Sequence, residues 1–167
     1  LPAAIRNYLL RLGWSHGDLE IVSTADAIKL FDLEGVGRSA SRFDMAKLEN
    51  TNAHYMRESE PESLIKAISP MIEAKIDRSL SSIETARLNT GMASLQQRTK
   101  TLLDLAVSAE IYLNGAPFSQ SPKAAKVLAG ADAAAGLTAA LNALSSIPDS
   151  AWNEERIEAA LRAGAAL

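Results

Sequence analysis

The chain has 167 residues, 17 Lys and Arg against 20 Asp and Glu, a net charge of -3 and no cysteine. That length holds one compact domain or two small ones, and 47% apolar with 22% charged residues describes a chain that folds around a core. Disulfides, thiolate nucleophiles and Cys-type zinc sites are excluded, and two histidines, His16 and His54, make no metal cage by themselves, so no metal site is expected.

Residues 1–12 read as a helix, with Pro2 in its first turn and Ile5, Tyr8, Leu9 and Leu12 recurring at three- and four-residue steps. Gly13 stops it, and Gly13-Trp14-Ser15-His16-Gly17-Asp18 is turn chemistry. Ser23 or Thr24 then caps a short helix carrying Ala27, Ile28, Leu30 and Phe31, and a loop through Gly35 and Gly37 comes next. The next helix spans about 43–57, and Glu60-Pro61-Glu62 marks a junction at which Pro61 opens another.

Beyond it the pattern predicts helices near 61–75, 79–89, 92–113, 121–129, 131–146 and 151–163, with breaks at Gly91, Asn114-Gly115, Ser121-Pro122, Gly130 and Pro148-Asp149. No run alternates β-branched and aromatic residues, so the expected fold class is all-α. The Ala-rich span 124–144 reads as part of a close-packed helix pair, with Leu128, Leu137, Leu141 and Leu144 as its packing face.

No apolar run reaches the roughly eighteen residues of a membrane span and no basic-then-apolar leader opens the chain, so a soluble, cytoplasmic protein without a membrane partner is expected. Leu at position 1 predicts a piece of something longer. Residues 1–100 carry 13 Lys and Arg against 13 Asp and Glu, whereas 101–167 carry 4 against 7. Any nucleic-acid contact must therefore be local rather than a general basic surface. The phosphate-cradle, dinucleotide, hydrolase-elbow and zincin motifs are all missing, and no catalytic centre is predicted. Glu154, Glu155 and Glu158 lie in the first turns of the last helix, where they complement its dipole.

On the 43–57 helix, Lys47, Asn50, His54 and Arg57 fall within about 40° of Phe43, while Met45, Leu48, Tyr55 and Met56 fall on the opposite side. The cationic stripe, preceded by Arg38 and Arg42, suits a phosphate backbone; a solvated face partly neutralised by Asp44 and Glu49 is the alternative. Asn52, inside the apolar stripe, is expected to be buried and hydrogen-bonded. If 92–113 is one helix, Leu95, Leu102, Ala106, Ala109 and Leu113 share a line, Arg98 lies about 60° from it and Lys100 about 140°. Arg98 can bury its stem and aim its guanidinium outward, or pair with a carboxylate on the surface.

Several ordered segments are similar to one family. The stretch from Leu1-Pro2-Ala3-Ala4-Ile5-Arg6-Asn7-Tyr8-Leu9 to Leu12-Gly13-Trp14-Ser15-His16-Gly17-Asp18 resembles the segment just after the Lys-Met-Ser-Lys-Arg loop of bacterial glutamyl-tRNA synthetases. Phe31-Asp32-Leu33-Glu34-Gly35-Val36-Gly37-Arg38-Ser39, Phe43-Asp44-Met45-Ala46-Lys47-Leu48 with Asn52, and Gln97-Arg98-Thr99-Lys100-Thr101-Leu102 resemble the rest of its C-terminal half.

The resemblance implies the tRNA-recognition part of a class I synthetase whose catalytic Rossmann domain, with both signature motifs, lies upstream. The parent would join glutamate to tRNA(Glu) with ATP and Mg²⁺ and act as a monomer; this segment would carry no catalytic residue and bind no cofactor. A non-enzymatic helical module docking a protein through 121–146 is the rival. In family terms residues 1–60 are a stem-contact domain, 61–147 the first helical part of the anticodon-binding region, and 148–167 the start of its second part, incomplete at its end. Ser15, Gly37, Arg38 and Lys47 match contacts to the tRNA body, Gly37 through its backbone N–H. Arg42, His54, Arg57 and Lys100 are further candidates. Arg98 matches the arginine used at the third anticodon base. Cytosine presents two acceptors on its pairing edge where guanine presents two donors, so a guanidinium favours cytosine by roughly 1–3 kcal/mol. Glutamate anticodons end in C and glutamine anticodons in G.

Overall fold

The computed structural model describes residues 1–113 and 121–165, which fall into two compact units, Leu1–Phe118 and Ser119–Leu167. The expected boundaries at 60 and 147 each lie inside one of these units. Among the described residues the regular structure is helical; the only β feature is one isolated antiparallel bridge between Trp14 and Val36.

In the first unit, α1 (Pro2–Gly13) begins on its proline as read. It buries Ala4, Asn7 and Tyr8, however, while Ile5 and Leu9 remain about half exposed. The polar Asn7 takes the inward position because it serves the loop beneath it: its Nδ2 donates to the Glu20 carbonyl at 2.9 Å and its Oδ1 accepts from Val22 N at 2.6 Å. A buried amide so satisfied costs little, and it fixes that loop's backbone groups. Ser23 then caps α2 (Thr24–Leu30), accepting from Asp26 N at 3.0 Å.

Asp44 caps α3 (Met45–Arg57), and α4 (Pro61–Ile76) opens on Pro61 and closes on Asp77 in the left-handed region, φ 54°. The next corner is held by Arg78, whose Nη1 and Nη2 reach the two oxygens of Glu84 at 2.9 and 2.7 Å. Glu84 is almost wholly buried and closes a capping box with Ser81. Its hydrogen bonds raise the Arg78 guanidinium pKa further.

The expected break at Gly91 is absent. α5 runs unbroken from Ser82 to Arg98, and the chain breaks instead at Thr99-Lys100-Thr101 before α6 (Leu102–Ala109) and a 3₁₀ turn, Glu110–Tyr112. Gly91 sits inside the helix because a Cβ there would strike the ring of Tyr112. Thr101 starts α6 by accepting from Asp104 N at 3.0 Å, which a single helix over 92–113 did not allow for. The expected Asn114-Gly115 break lies outside the described residues.

Helices α3 to α6 close around Met56, Leu64, Ile68, Leu88, Met92 and Leu105, each under 2% exposed. With Ile65, Ile72 and Leu95 they recur at three- and four-residue steps within α4 and α5, which gives each helix one apolar stripe. Lys75 pairs with the buried Glu110, tying α4 to the 3₁₀ turn.

The second unit comprises α7 (Pro122–Leu128), α8 (Ala133–Ser145), a 3₁₀ turn at Asp149–Ala151 and α9 (Glu154–Ala165), close to the predicted spans. The packing face differs from expectation. Leu128, Leu137 and Leu141 stay exposed, and α9 instead meets the small-residue side of α8, where a Cβ on Gly164 would lie 3.4 Å from Ala143 Cβ. Small side chains let two helix backbones approach, and of the four leucines of the expected face Leu144 alone is half-buried.

Candidate nucleic-acid interface

The loop residues expected to meet RNA are carried on a segment laid back along α1. Ser15 N donates to Gly35 O at 3.0 Å, Gly37 N to Gly13 O at 2.9 Å, the Ser41 hydroxyl to Leu12 O, and Asp44 N to the Tyr8 hydroxyl at 2.6 Å. These attachments run antiparallel from 35 to 44, so Arg38 and Arg42 lie on a tethered segment rather than a free loop. Its turn is tight: Gly35 N donates to Asp32 Oδ1 at 2.6 Å, and a Cβ on Gly35 would come 2.5 Å from the Ser15 carbonyl. Only glycine fits there. Beneath it Trp14 is buried between Phe31 and His16, and Phe43 meets Tyr8 edge-on at 5.2 Å.

This arrangement corrects the expected role of Gly37. Its N–H is already bonded to Gly13 O, so it is not a free donor to a phosphate, and position 37 serves the tether instead. Ser15, Arg38 and Arg42 remain exposed beside it.

The tether delivers the chain to α3. Asp44 uses its carboxylate as a helix cap, accepting from Lys47 N at 3.1 Å, and makes no ion pair with the Lys47 ammonium. Lys47 and Arg57 are exposed and His54 is half-buried on the same stripe. Asn52 is buried on the opposite side, as expected; its Nδ2 donates to Lys100 O at 2.7 Å and its Oδ1 accepts from the Leu1 nitrogen at 2.5 Å.

That bond to Lys100 draws the break after α5 against α3. Lys100 Nζ reaches Asn50 Oδ1 at 2.9 Å, so the structure places Lys100 on the α3 stripe with Lys47 and Asn50. One helical turn before Lys100 is Gln96, which the sequence pattern does not single out. It is 5% exposed, and its Nε2 donates to the carbonyls of Met56 at 2.7 Å and Ser59 at 2.8 Å, at the end of α3. A glutamine two residues before an exposed arginine has nothing in its pattern to mark it as buried.

Arg98 is the last residue of α5, not a mid-helix residue at a core border. Its side chain is exposed, with Nη2 donating to Ser94 Oγ at 2.6 Å. No carboxylate among the described residues lies within ion-pairing distance of Arg38, Arg42, Lys47, Arg57, Arg98 or Lys100. These cations are exposed to solvent without a direct carboxylate partner. Among the described residues no group of three or more His, Asp or Glu converges as a metal site would. No single helix among them is long and apolar enough to cross a membrane.

The first unit is a bundle of short helices on which Arg38, Arg42, Lys47, Arg57, Arg98 and Lys100 are exposed, an arrangement compatible with a local phosphate contact. The family model described as "Anticodon binding domain" matches residues 46–166, and the chain belongs to that family. It is 47% identical over 162 residues to glutamate-tRNA ligase 2 of Paramagnetospirillum magneticum, covering 97% of this chain and 34% of that one. It is 48% identical over 166 residues to glutamate-tRNA ligase 1 of Sphingopyxis alaskensis, covering 99% and 34%. Among solved structures it resembles a glutamate tRNA ligase from Elizabethkingia meningosepticum in complex with its amino acid. There the TM-score is 0.74, the identity 26%, and the coverage 99% of this chain and 32% of that one. The chain thus spans about a third of the length of the relatives it matches.

Proposed function

We propose that this chain is the tRNA-recognition portion of a glutamate-tRNA ligase, whose parent joins glutamate to tRNA(Glu) with ATP and Mg²⁺. The cations of the 38–57 segment hold the phosphates of the tRNA body, and Arg98 meets the third anticodon base. The observation that carries this reading is the set of exposed cations Arg38, Arg42, Lys47, Arg57, Arg98 and Lys100, none with a described carboxylate within ion-pairing distance. The similarity to glutamate-tRNA ligases supplies the amino acid and the partner.

The two contacts divide the labour. Phosphate contacts position the RNA without reading sequence, whereas a guanidinium at a base edge separates C from G by its donor-only pattern. ATP and Mg²⁺ belong to parent residues outside this chain, and the parent acts as a monomer in the cytoplasm.

Titration of the 167-residue chain with labelled tRNA at several salt concentrations tests the reading. Lys47→Gln is expected to lower affinity for any tRNA and to flatten the salt dependence by about one unit of slope. An unchanged slope removes the phosphate role. In the parent, Arg98→Gln is expected to cost more kcat/KM for a tRNA whose anticodon ends in C than for one ending in G; equal losses remove the base contact.

A further inference from the structure

Arg98 lies at the end of a helix, where backbone carbonyls lack partners and the last turn frays. A base-reading side chain in such a place needs its backbone held by something else. Ordinary C-terminal closure is missing here: Thr99 is extended, φ -113° and ψ 147°, with no left-handed cap.

What the structure supplies instead is tertiary. Gln96, in the last turn of α5, donates from a single amide nitrogen to the carbonyls of Met56 and Ser59 at 2.7 and 2.8 Å. Met56 belongs to the last turn of α3, so the bonds join the C-terminal ends of two helices. Four residues on, Asn52 holds the Lys100 carbonyl at 2.7 Å. Thr99 is buried and its hydroxyl returns to Leu95 O at 2.9 Å. Arg98 therefore stands between two clamps, at 96 and 100, and both clamps end on α3 or the residues just after it. The opposite face of α3 carries Lys47, His54 and Arg57.

We propose that Gln96 is a positioning residue that locks the end of α5, and with it Arg98, to the end of α3. The phosphate-binding stripe and the base-reading guanidinium then address one RNA in fixed register. The clamp acts through α3 and touches no nucleotide. Gln96 and Asn52 are buried, uncharged amides; Gln96 donates to two backbone carbonyls, and Asn52 donates to the Lys100 carbonyl while accepting from the Leu1 nitrogen, so neither replacement changes the charge of the surface.

The inference rests on the proposed contacts of Lys47 and Arg98, and a double-mutant cycle separates its failure from theirs. The probe is labelled tRNA with an anticodon ending in C, bound to the 167-residue chain. Gln96→Met keeps the side chain's length and removes its donor. In the unaltered chain Arg98→Gln should weaken binding about tenfold. In the Gln96→Met background the same change should cost less than about twofold, because the guanidinium is no longer held in place, while Lys47→Gln should cost the same factor in both backgrounds. Equal Arg98→Gln losses in the two backgrounds overturn the positioning role and leave the base contact standing. No loss in the unaltered chain overturns the base contact and the positioning role together. Should Gln96→Met reduce helicity by circular dichroism, Asn52→Leu breaks the second clamp, and the same collapse of the Arg98 effect is expected; persistence of the full effect overturns the proposal.

Discussion

The two units of this chain are helical for different reasons. In Leu1–Phe118 the helices converge on a core in which Met56, Leu64, Ile68, Leu88, Met92 and Leu105 are all but sealed from solvent. In Ser119–Leu167 no described residue is buried, and Val127, Leu137 and Leu141 each keep more than half their surface in water. Helices there combine the close approach of α9 to the small-residue side of α8 with local signals: Ser121 caps α7, Pro122 opens it, and α8 is rich in alanine. Burial fixes a structure against all alternatives, whereas propensity fixes only the helical state of a segment. The residues proposed to meet RNA sit in the unit that burial holds.

The largest test of that contrast is a cavity. Leu88→Ala removes a fully buried side chain from the first unit and should cost about 2–5 kcal/mol, read from urea unfolding. A loss below about 1 kcal/mol would mean that this core is not what holds the unit together.

A second test has a sign to get right. Gly91 lies inside α5, where alanine ordinarily gains about 0.5–1 kcal/mol over glycine. Here the added methyl would collide with the Tyr112 ring, so Gly91→Ala should destabilise by about 1–3 kcal/mol. In a Tyr112→Ala background the clash is gone, and the same change should become stabilising. The same sign in both backgrounds would show that helix propensity, not the close approach, governs the position.

That glycine also shows where the sequence is readable. Helix starts announced themselves through Pro2, Ser23, Pro61 and the Ser121-Pro122 break, because caps are local chemistry, whereas Asp44 reads only as a neutralising charge and is in fact the cap of α3. Gly91 reads as a stop, yet it is a seat for the ring of Tyr112, which lies too far along the chain for a local window to contain. The real break, Thr99 to Thr101, did carry a signal in Thr101 with Asp104 three residues on, but the apolar line through 102–113 outweighed it. The α3 stripe was legible because periodicity orders Lys47, His54 and Arg57 on one helix. Lys100 joined it through Asn52 and Asn50, contacts across 48 and 50 positions. Arg98 came from family resemblance, and its place at a helix end came from the structure alone.

A third test uses pH. Tyr55 donates to Val22 O at 3.0 Å, and burial raises its pKa above the ordinary phenol value of 10.0, with Arg6 opposing weakly. Because the fold favours the neutral phenol, its contribution is complete below about pH 10 and is lost as pH climbs through the folded value. Tyr55→Phe should cost about 0.5–1.5 kcal/mol at neutral pH and should reduce the fall in stability above about pH 10. An identical alkaline profile in the variant would assign that fall to other groups.

The smallest effect is expected where the second unit is most apolar to the eye. Leu141 is 64% exposed on α8, so truncation opens no cavity and removes little surface from water. Alanine is also the better helix former, and the two terms offset. Leu141→Ala should therefore change stability by less than about 0.5 kcal/mol, against several for Leu88→Ala in the first unit. Thermal unfolding of both variants, followed by circular dichroism, reads this directly. A Leu141→Ala loss approaching that of Leu88→Ala would mean that the leucines of α8 are covered in solution, and that the second unit is organised by burial after all.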